Sequence, residues 1–306
     1  MTGELATTRM PLSRRTEKNK AAVRFDLDRE FPLAREDFEF IVRLATERTG
    51  IIFGDQKVDL VYARLSRRLR QLGLENFGDY VRVLKDDHNG DETAVLVNAL
   101  TTNLTKFFRS QDHFDHLRDI TIPNTLARVR ARKSDRIRIW SAGCSTGEEP
   151  YSIAITAQQV LGNRLPGLDF RVLATDIDTN ILERASSGVY SGSALAETAA
   201  NDRERYFEAL ESNGETQWRI KNNVRSMVTF KKLNLLDAWP FRGQFDAVMC
   251  RNVMIYFDLE TKMQLVNRFT NVLRPGGWLY LGSSESMTFS CPGLSREGNT
   301  IYRWQD

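Results

Sequence analysis

Two adjacent glutamates, Glu148 and Glu149, stand directly behind a glycine loop, Gly143-Cys-Ser-Thr-Gly147, and that placement restricts what the loop can hold. Upstream, Ile137, Ile139 and Trp140 read as an apolar strand; downstream, Pro150 suits a first helical turn. Strand, glycine loop and helix together have the shape of a nucleotide-type cofactor site, where glycine lets a ligand approach the backbone. The free N–H groups of a helix N-terminus ordinarily attract phosphate. Two carboxylates there repel it, and no P-loop lysine follows the loop. The chemistry that remains is a nucleoside with a cationic far end. S-adenosylmethionine, with its sulfonium and ammonium groups, meets that demand, whereas NAD and ATP do not. The same residues also allow a plainer reading, a helix capped by Ser145 with Glu148 or by Thr146 with Glu149 in capping-box spacing.

Other polar residues fall where strands should end, which is where open α/β sheets bind ligands. Asp176 closes the run Phe170-Arg-Val-Leu-Ala-Thr and lies 29 residues past Gly147, placed to accept from ribose hydroxyls. Asp176 or Asp178 could equally cap the next helix. Leu233-Asn-Leu-Leu-Asp237 follows a third strand and suits the edge of an adenine. Arg251 and Asn252 come straight after the apolar run Phe245-Asp-Ala-Val-Met-Cys250, and packing alone explains an arginine there poorly. His113 and His116 are three apart on a helix but sit beside Asp112 and Asp115, so a solvated face is expected rather than a metal site. Cys144, Cys250 and Cys291 form no CxxC pair; this predicts a reducing cytoplasm and no structural zinc, and Cys144 reads as a small apolar side chain.

The elements that must position these groups follow from periodicity. Residues 1–30 show no apolar period and are expected to be a mobile tail. Residues 31–125 read as an all-helical domain. Phe38, Ile41, Val42, Leu44 and Ala45 form one amphipathic segment ended near Gly50, and Val58, Val61, Leu65, Leu69 and Leu72 form a second ended by Gly73. Shorter helices are expected at 76–88, 91–101 and 110–119. Residues 126–306 alternate, with strands at 136–140, 170–175, 227–233, 245–250 and 277–282 and helices near 148–161, 179–186 and 258–273. That rhythm predicts a Rossmann-like α/β domain with a parallel sheet, closed by a hairpin over 293–304. About fifty residues separate the second and third strands, too many for a simple βαβ unit. Ser212-Asn-Gly214 is a turn signal and Trp218-Arg-Ile-Lys221 alternates, so a small antiparallel β-subdomain is expected at about 190–226.

Several runs, in order, resemble the CheR-type chemotaxis receptor methyltransferases: Thr101-Thr-Asn-Leu-Thr-Lys-Phe-Phe-Arg109, Trp140-Ser-Ala-Gly-Cys-Ser-Thr-Gly-Glu-Glu-Pro-Tyr-Ser152, Thr175-Asp-Ile-Asp178, Phe245-Asp-Ala-Val-Met-Cys-Arg-Asn-Val-Met-Ile-Tyr-Phe257 and Leu273-Arg-Pro-Gly-Gly277. They cover the chain from about residue 35 onward. The resemblance implies an S-adenosylmethionine-dependent protein-glutamate O-methyltransferase acting on cytoplasmic helices of chemoreceptors, with S-adenosylhomocysteine as product. It implies that Asn103, Thr105 and Arg109 approach the methionine end of the cofactor, Glu149 its ammonium and Asp176 its ribose. Asn234, Leu235, Arg251 and Asn252 would close around the adenosine and amino-acid portions. Glu149 is preferred over Glu148, though spacing barely separates them.

A glutamate side chain titrates near ~4.3, so the nucleophile is already ionised at neutral pH and needs no general base. Arg109 and Tyr256 are the candidates for steering that carboxylate. Arg64, Arg67, Arg68 and Arg70 lie on the second helix, with Arg64 and Arg68 flanking its apolar seam and Arg67 and Arg70 pointing away. They are candidates for docking an acidic receptor helix, against the plain reading of a solvated face. The net charge is only +3 and no apolar run approaches the ~20 residues of a membrane span, so the expectation is a cytoplasmic monomer that neither enters the membrane nor binds nucleic acid. Two other functions compete: a small-molecule or nucleic-acid methyltransferase on the same fold, and a non-catalytic S-adenosylmethionine-binding scaffold. A base-methylating enzyme would want an Asn/Asp-Pro-Pro-aromatic turn after the fourth strand, where this chain has Arg251-Asn-Val-Met254.

Overall fold

A computed structural model describes residues 29–131, 135–162, 167–212 and 215–305. The expected tail, save its last two residues, and residues 213 and 214 of the expected turn lie outside them. Helices α1 (Arg35–Thr49), α2 (Val58–Leu72), α3 (Phe77–Lys85) and α4 (Asp91–Leu100) form the N-terminal bundle. Their apolar faces meet in one core that includes Phe38, Ile41, Val61, Leu65, Leu69, Tyr80 and Leu96. Gly50 and Gly73 end α1 and α2 in left-handed conformations, as glycine after a helix commonly does. The seam of α2 is shorter than its spacing predicts: Leu72 is 37% exposed in the last turn, while Ser66 is buried.

Two helices, α5 (Gln111–His116) and α6 (Ile122–Ala131), joined by a π-turn, follow the bundle. They pack elsewhere: Phe107, Phe114, Leu117, Ile122, Leu126 and Val129 share a core with Ile137, Ile139 and Ile153. The expected division at 125/126 therefore falls inside a packed unit. The change of core occurs between Leu100 and Phe107, because the apolar face of α5 and α6 is turned to the sheet. His113 is fully buried, against expectation, with Nε2 3.1 Å from the Asn299 carbonyl oxygen and 3.2 Å from Thr300 Oγ1. His116 Nδ1 lies 2.9 Å from the Tyr280 hydroxyl. This helix faces the protein, and Asp112 and Asp115 misdirect the sequence reading.

The rest of the chain is β1 (Arg136–Ala142), α7 (Glu148–Leu161), β2 (Asp169–Asp176), α8 (Thr179–Ser187), β3 (Val189–Ser191), α9 (Ala200–Tyr206), β4 (Phe207–Ser212), β5 (Glu215–Ile220), α10 (Asn222–Arg225), β6 (Val228–Lys232), β7 (Phe245–Cys250), α11 (Leu259–Val272), β8 (Leu273–Leu281), β9 (Leu294–Gly298) and β10 (Ile301–Trp304). The main sheet runs β6-β2-β1-β7-β8-β10-β9. Its first five strands are parallel and the last two form the antiparallel terminal hairpin. The chain leaves β1 for β2 on one side while β7 stands on the other, which makes the carboxyl end of β1 the switch point where such sheets bind ligands. A second antiparallel sheet, β3-β5-β4, occupies the expected insertion. Strand β8 starts earlier than expected, at Leu273, with a register irregularity before Trp278.

Candidate active site

A cleft opens at the carboxyl ends of β1, β2, β6 and β7. Its floor is the glycine loop. Gly143 has φ +77°, and a Cβ there would stand 2.3 Å from Val253 Cγ2, so only glycine lets the loop pass beneath the turn after β7. Gly143 and Cys144 donate their N–H groups to the Thr175 carbonyl at 2.8 and 2.9 Å, which fixes the loop to β2. Neither capping box forms. The N-cap of α7 is Gly147, without a side-chain cap, while the Ser145 hydroxyl donates to the Asn103 carbonyl and the Thr146 hydroxyl to Glu148. Burial pushes the Cys144 thiol up, consistent with a small apolar role.

The two glutamates part company. Glu149 lines the cleft, whereas Glu148 lines a separate depression beside Arg184 and Tyr190. Ser141 donates to one oxygen of Glu149 at 2.7 Å and Arg251 Nη1 lies 3.2 Å from the other. Burial raises the Glu149 carboxyl above its ordinary range, and Arg251 opposes that shift. Arg251 is itself buried; its Nη2 donates to the Arg109 carbonyl, and its Nε has no partner among the described residues. An orphaned buried donor beside a buried acid marks a place where a ligand would complete the hydrogen bonding.

Asp176 and Asp178 divide the two roles the sequence leaves open. Asp178 caps α8 through the Asn180 and Ile181 N–H groups, and its second oxygen accepts from Thr101 and from Asn103 Nδ2 at 3.0 Å each. Asp176 accepts the Ser145 and Asp178 N–H groups and faces the cleft, where burial pushes its carboxyl up to about 6. Asn103 thus meets the cleft as part of a wall pinned on both sides. Thr105 and Arg109 continue that wall, and Arg109 Nη1 donates to the Leu104 carbonyl at 2.9 Å.

Across the cleft lie Asn234, Leu235, Asn252 and Tyr256. Asn234 Nδ2 donates to the Arg48 carbonyl and the Ile52 N–H to the Tyr256 carbonyl, so the helical domain is tied to this wall at two points. Thr49 and Ile51 line the cleft from that domain, and Val253 and Phe257 from the turn after β7; sequence reasoning assigns none of the four to the site. Nor does it name Glu285. This buried carboxylate accepts the N–H groups of Asn252 (2.7 Å), Ile255 (2.9 Å) and Gly282 (2.6 Å), and so holds the turn in which Asn252 has φ +59°. Its position just past β8 is the available signal, since Asp176 stands likewise at the end of β2.

The four arginines of α2 do not form one docking face. Arg64 is turned inward: Nη1 donates to the Leu100 and Thr101 carbonyls at 2.7 and 2.6 Å, and Nη2 to Thr102 Oγ1 at 2.9 Å. It satisfies carbonyls left open at the end of α4. Arg68 pairs with Glu92 at 2.5 Å. Arg67 and Arg70 are exposed, and Arg70 pairs with Glu30.

A doubly wound sheet with a cleft at its switch point, lined by the acids Glu149 and Asp176 and the arginines Arg109 and Arg251, has the form of a nucleoside-cofactor site. The family description "CheR methyltransferase, SAM binding domain" matches residues 103–297, and "CheR methyltransferase, all-alpha domain" matches residues 36–101. The chain belongs to the CheR methyltransferase family. It is 40% identical to the chemotaxis protein methyltransferase of Salmonella typhimurium over 92% of this chain and 95% of that one. Identity to the Escherichia coli chemotaxis protein methyltransferase is 41% over 88% of this chain and 91% of that one. Against the probable chemotaxis protein methyltransferase of Rhizobium etli it is 41%, over 83% and 94%. The cofactor is S-adenosylmethionine, and the cleft fits it: Glu149 is a buried acid suited to an ammonium, Asp176 can accept from hydroxyls, and the Arg251 Nε is a buried donor without a partner among the described residues.

Proposed function

We propose that this protein methylates glutamate side chains on the cytoplasmic helices of chemoreceptors, forming methyl esters, and that it works as a monomer in the cytoplasm. The observation that carries this reading is that Arg109 and Tyr256 line the same cleft as Glu149 and Asp176. Bound S-adenosylmethionine supplies an electrophilic methyl group on a sulfonium. Glu149 holds the ammonium end and Asp176 the ribose hydroxyls, while Asn234, Leu235 and Asn252 enclose the adenosine. Arg109 orients the incoming carboxylate with its planar fork, and Tyr256 offers a hydroxyl beside it. Neither residue takes a proton from the nucleophile, which is ionised already. The work of the site is alignment and exclusion of water from two opposite charges, and alignment alone can supply roughly 7–11 kcal/mol. Arg67 and Arg70 dock the acidic receptor helix from the outer face of α2, while Arg64 and Arg68 shape the domain beneath them.

The test is to incubate the protein with methyl-labelled cofactor and receptor-enriched membranes. Label should enter receptor protein and leave it as methanol in mild base, as an ester does. Base-stable label would replace the glutamate ester with another acceptor, and no transfer would leave a binding scaffold.

A further inference from the structure

Leu104 is 83% exposed, more than any other large apolar side chain among the described residues. An exposed leucine alone means little. This one is held in place: the Ser145 hydroxyl donates to the carbonyl just before it, on Asn103, and Arg109 Nη1 to its own carbonyl. Asn103 is fixed further by Asp178. The segment therefore presents Leu104 at the cleft without letting it fold away, and the arginine that fixes it is the one assigned to the substrate carboxylate.

We propose that Leu104 is a specificity-determining contact for the methyl-accepting helix, receiving an apolar side chain one helical turn from the glutamate that enters the cleft. The inference rests on the function proposed above. A helix that lowers one glutamate into the cleft lays the residues three and four positions away against its rim, because those share a face with the glutamate. Arg109 takes the charge, and Leu104, fixed through the same guanidinium, takes the apolar neighbour. Arg67 and Arg70 on α2 respond to overall charge and would not distinguish one glutamate of a receptor from the next. Leu104 would.

The test uses the full chain, with Leu104→Ala and Leu104→Met compared with the unaltered protein in receptor methylation and in calorimetry with S-adenosylhomocysteine. An exposed side chain can be removed without unfolding the protein, which melting curves check. Leu104→Ala should raise the receptor KM roughly tenfold, equivalent to about 1.4 kcal/mol, leave S-adenosylhomocysteine affinity within about twofold, and be largely rescued by Met. In a receptor whose apolar residue one turn from the glutamate is changed to Asn, the unaltered protein should lose the advantage and Leu104→Ala should lose nothing further. An unchanged receptor KM would overturn the proposal, and so would a loss confined to cofactor affinity, which would make Leu104 a cover for the cofactor. If the unaltered protein methylates no receptor at all, the failure belongs to the proposed function instead.

Discussion

Asp176 keeps a carboxyl where water reaches it poorly, and its burden depends on pH. Its folded value of about 6 lies above the ordinary 3.8. The sign follows: without ligand, its contribution to stability is intact at acid pH and is lost as pH rises from about 4 through about 6. Ribose hydroxyls are held more strongly by the ionised form, whose two oxygens both accept and carry charge. S-adenosylhomocysteine affinity should thus be flat above about pH 6 and fall below it, by up to about tenfold per unit. Calorimetry at pH 5 and pH 7.5 giving equal affinities would remove Asp176 as the ribose acceptor. Arg109 makes a different prediction. Arg109→Ala should depress turnover far more than S-adenosylhomocysteine affinity, because a contact made with the reacting carboxylate appears in the rate constant. Equal losses would make it a cofactor ligand alone. Arg109→Lys should rescue only in part, since a point charge cannot hold two carboxylate oxygens in a plane.

The turn after β7 depends on Glu285 as much as on its own residues. Three N–H groups converge on that carboxylate, and a carboxamide has one oxygen to offer them. Glu285→Gln should lower the melting temperature and turnover together, each stranded N–H costing ~1–3 kcal/mol. A variant with unchanged melting and rate would show that Asn252 holds its left-handed conformation unaided. This residue also marks where sequence reading stops. The strands β1, β2 and β7 are legible from their apolar runs; Asp176 and Arg251 stand out as polar residues at the ends of two of them, and Glu149 as an acid directly behind the glycine loop. Thr49 and Ile51 reach the cleft, and Glu285 the turn beside it, only through tertiary contacts, which leave no local period. His113 fails for the opposite reason, because its acidic neighbours give a helix the look of a solvated face while its other side is buried. Arg64 fails too, since nothing in its spacing tells a docking cation from one that closes the end of another helix.

The whole molecule offers a basic outer face on α2 and a cleft shared between two cores. Replacing Arg67 and Arg70 with Ala should shift stability by no more than ~0.5 kcal/mol each, as expected for exposed positions, since the Arg70 pair with Glu30 is exposed. Receptor methylation by the double variant should fall while cofactor affinity holds. The unaltered reaction should weaken as salt rises, because exposed charges are screened beyond ~8 Å at physiological ionic strength. Rates indifferent to both changes would leave the two arginines as solvated surface. The join between the cores carries a consequence of another kind. The two family domains meet between residues 101 and 103, yet the cleft draws Thr49, Ile51 and Thr101 from one and Glu149, Asp176 and Tyr256 from the other. The line along which the sequence divides into inherited modules therefore runs through the working part. Recombination at that line would strip Thr49, Ile51 and Thr101 from the cleft, and a helical domain taken from elsewhere would have to supply those contacts anew.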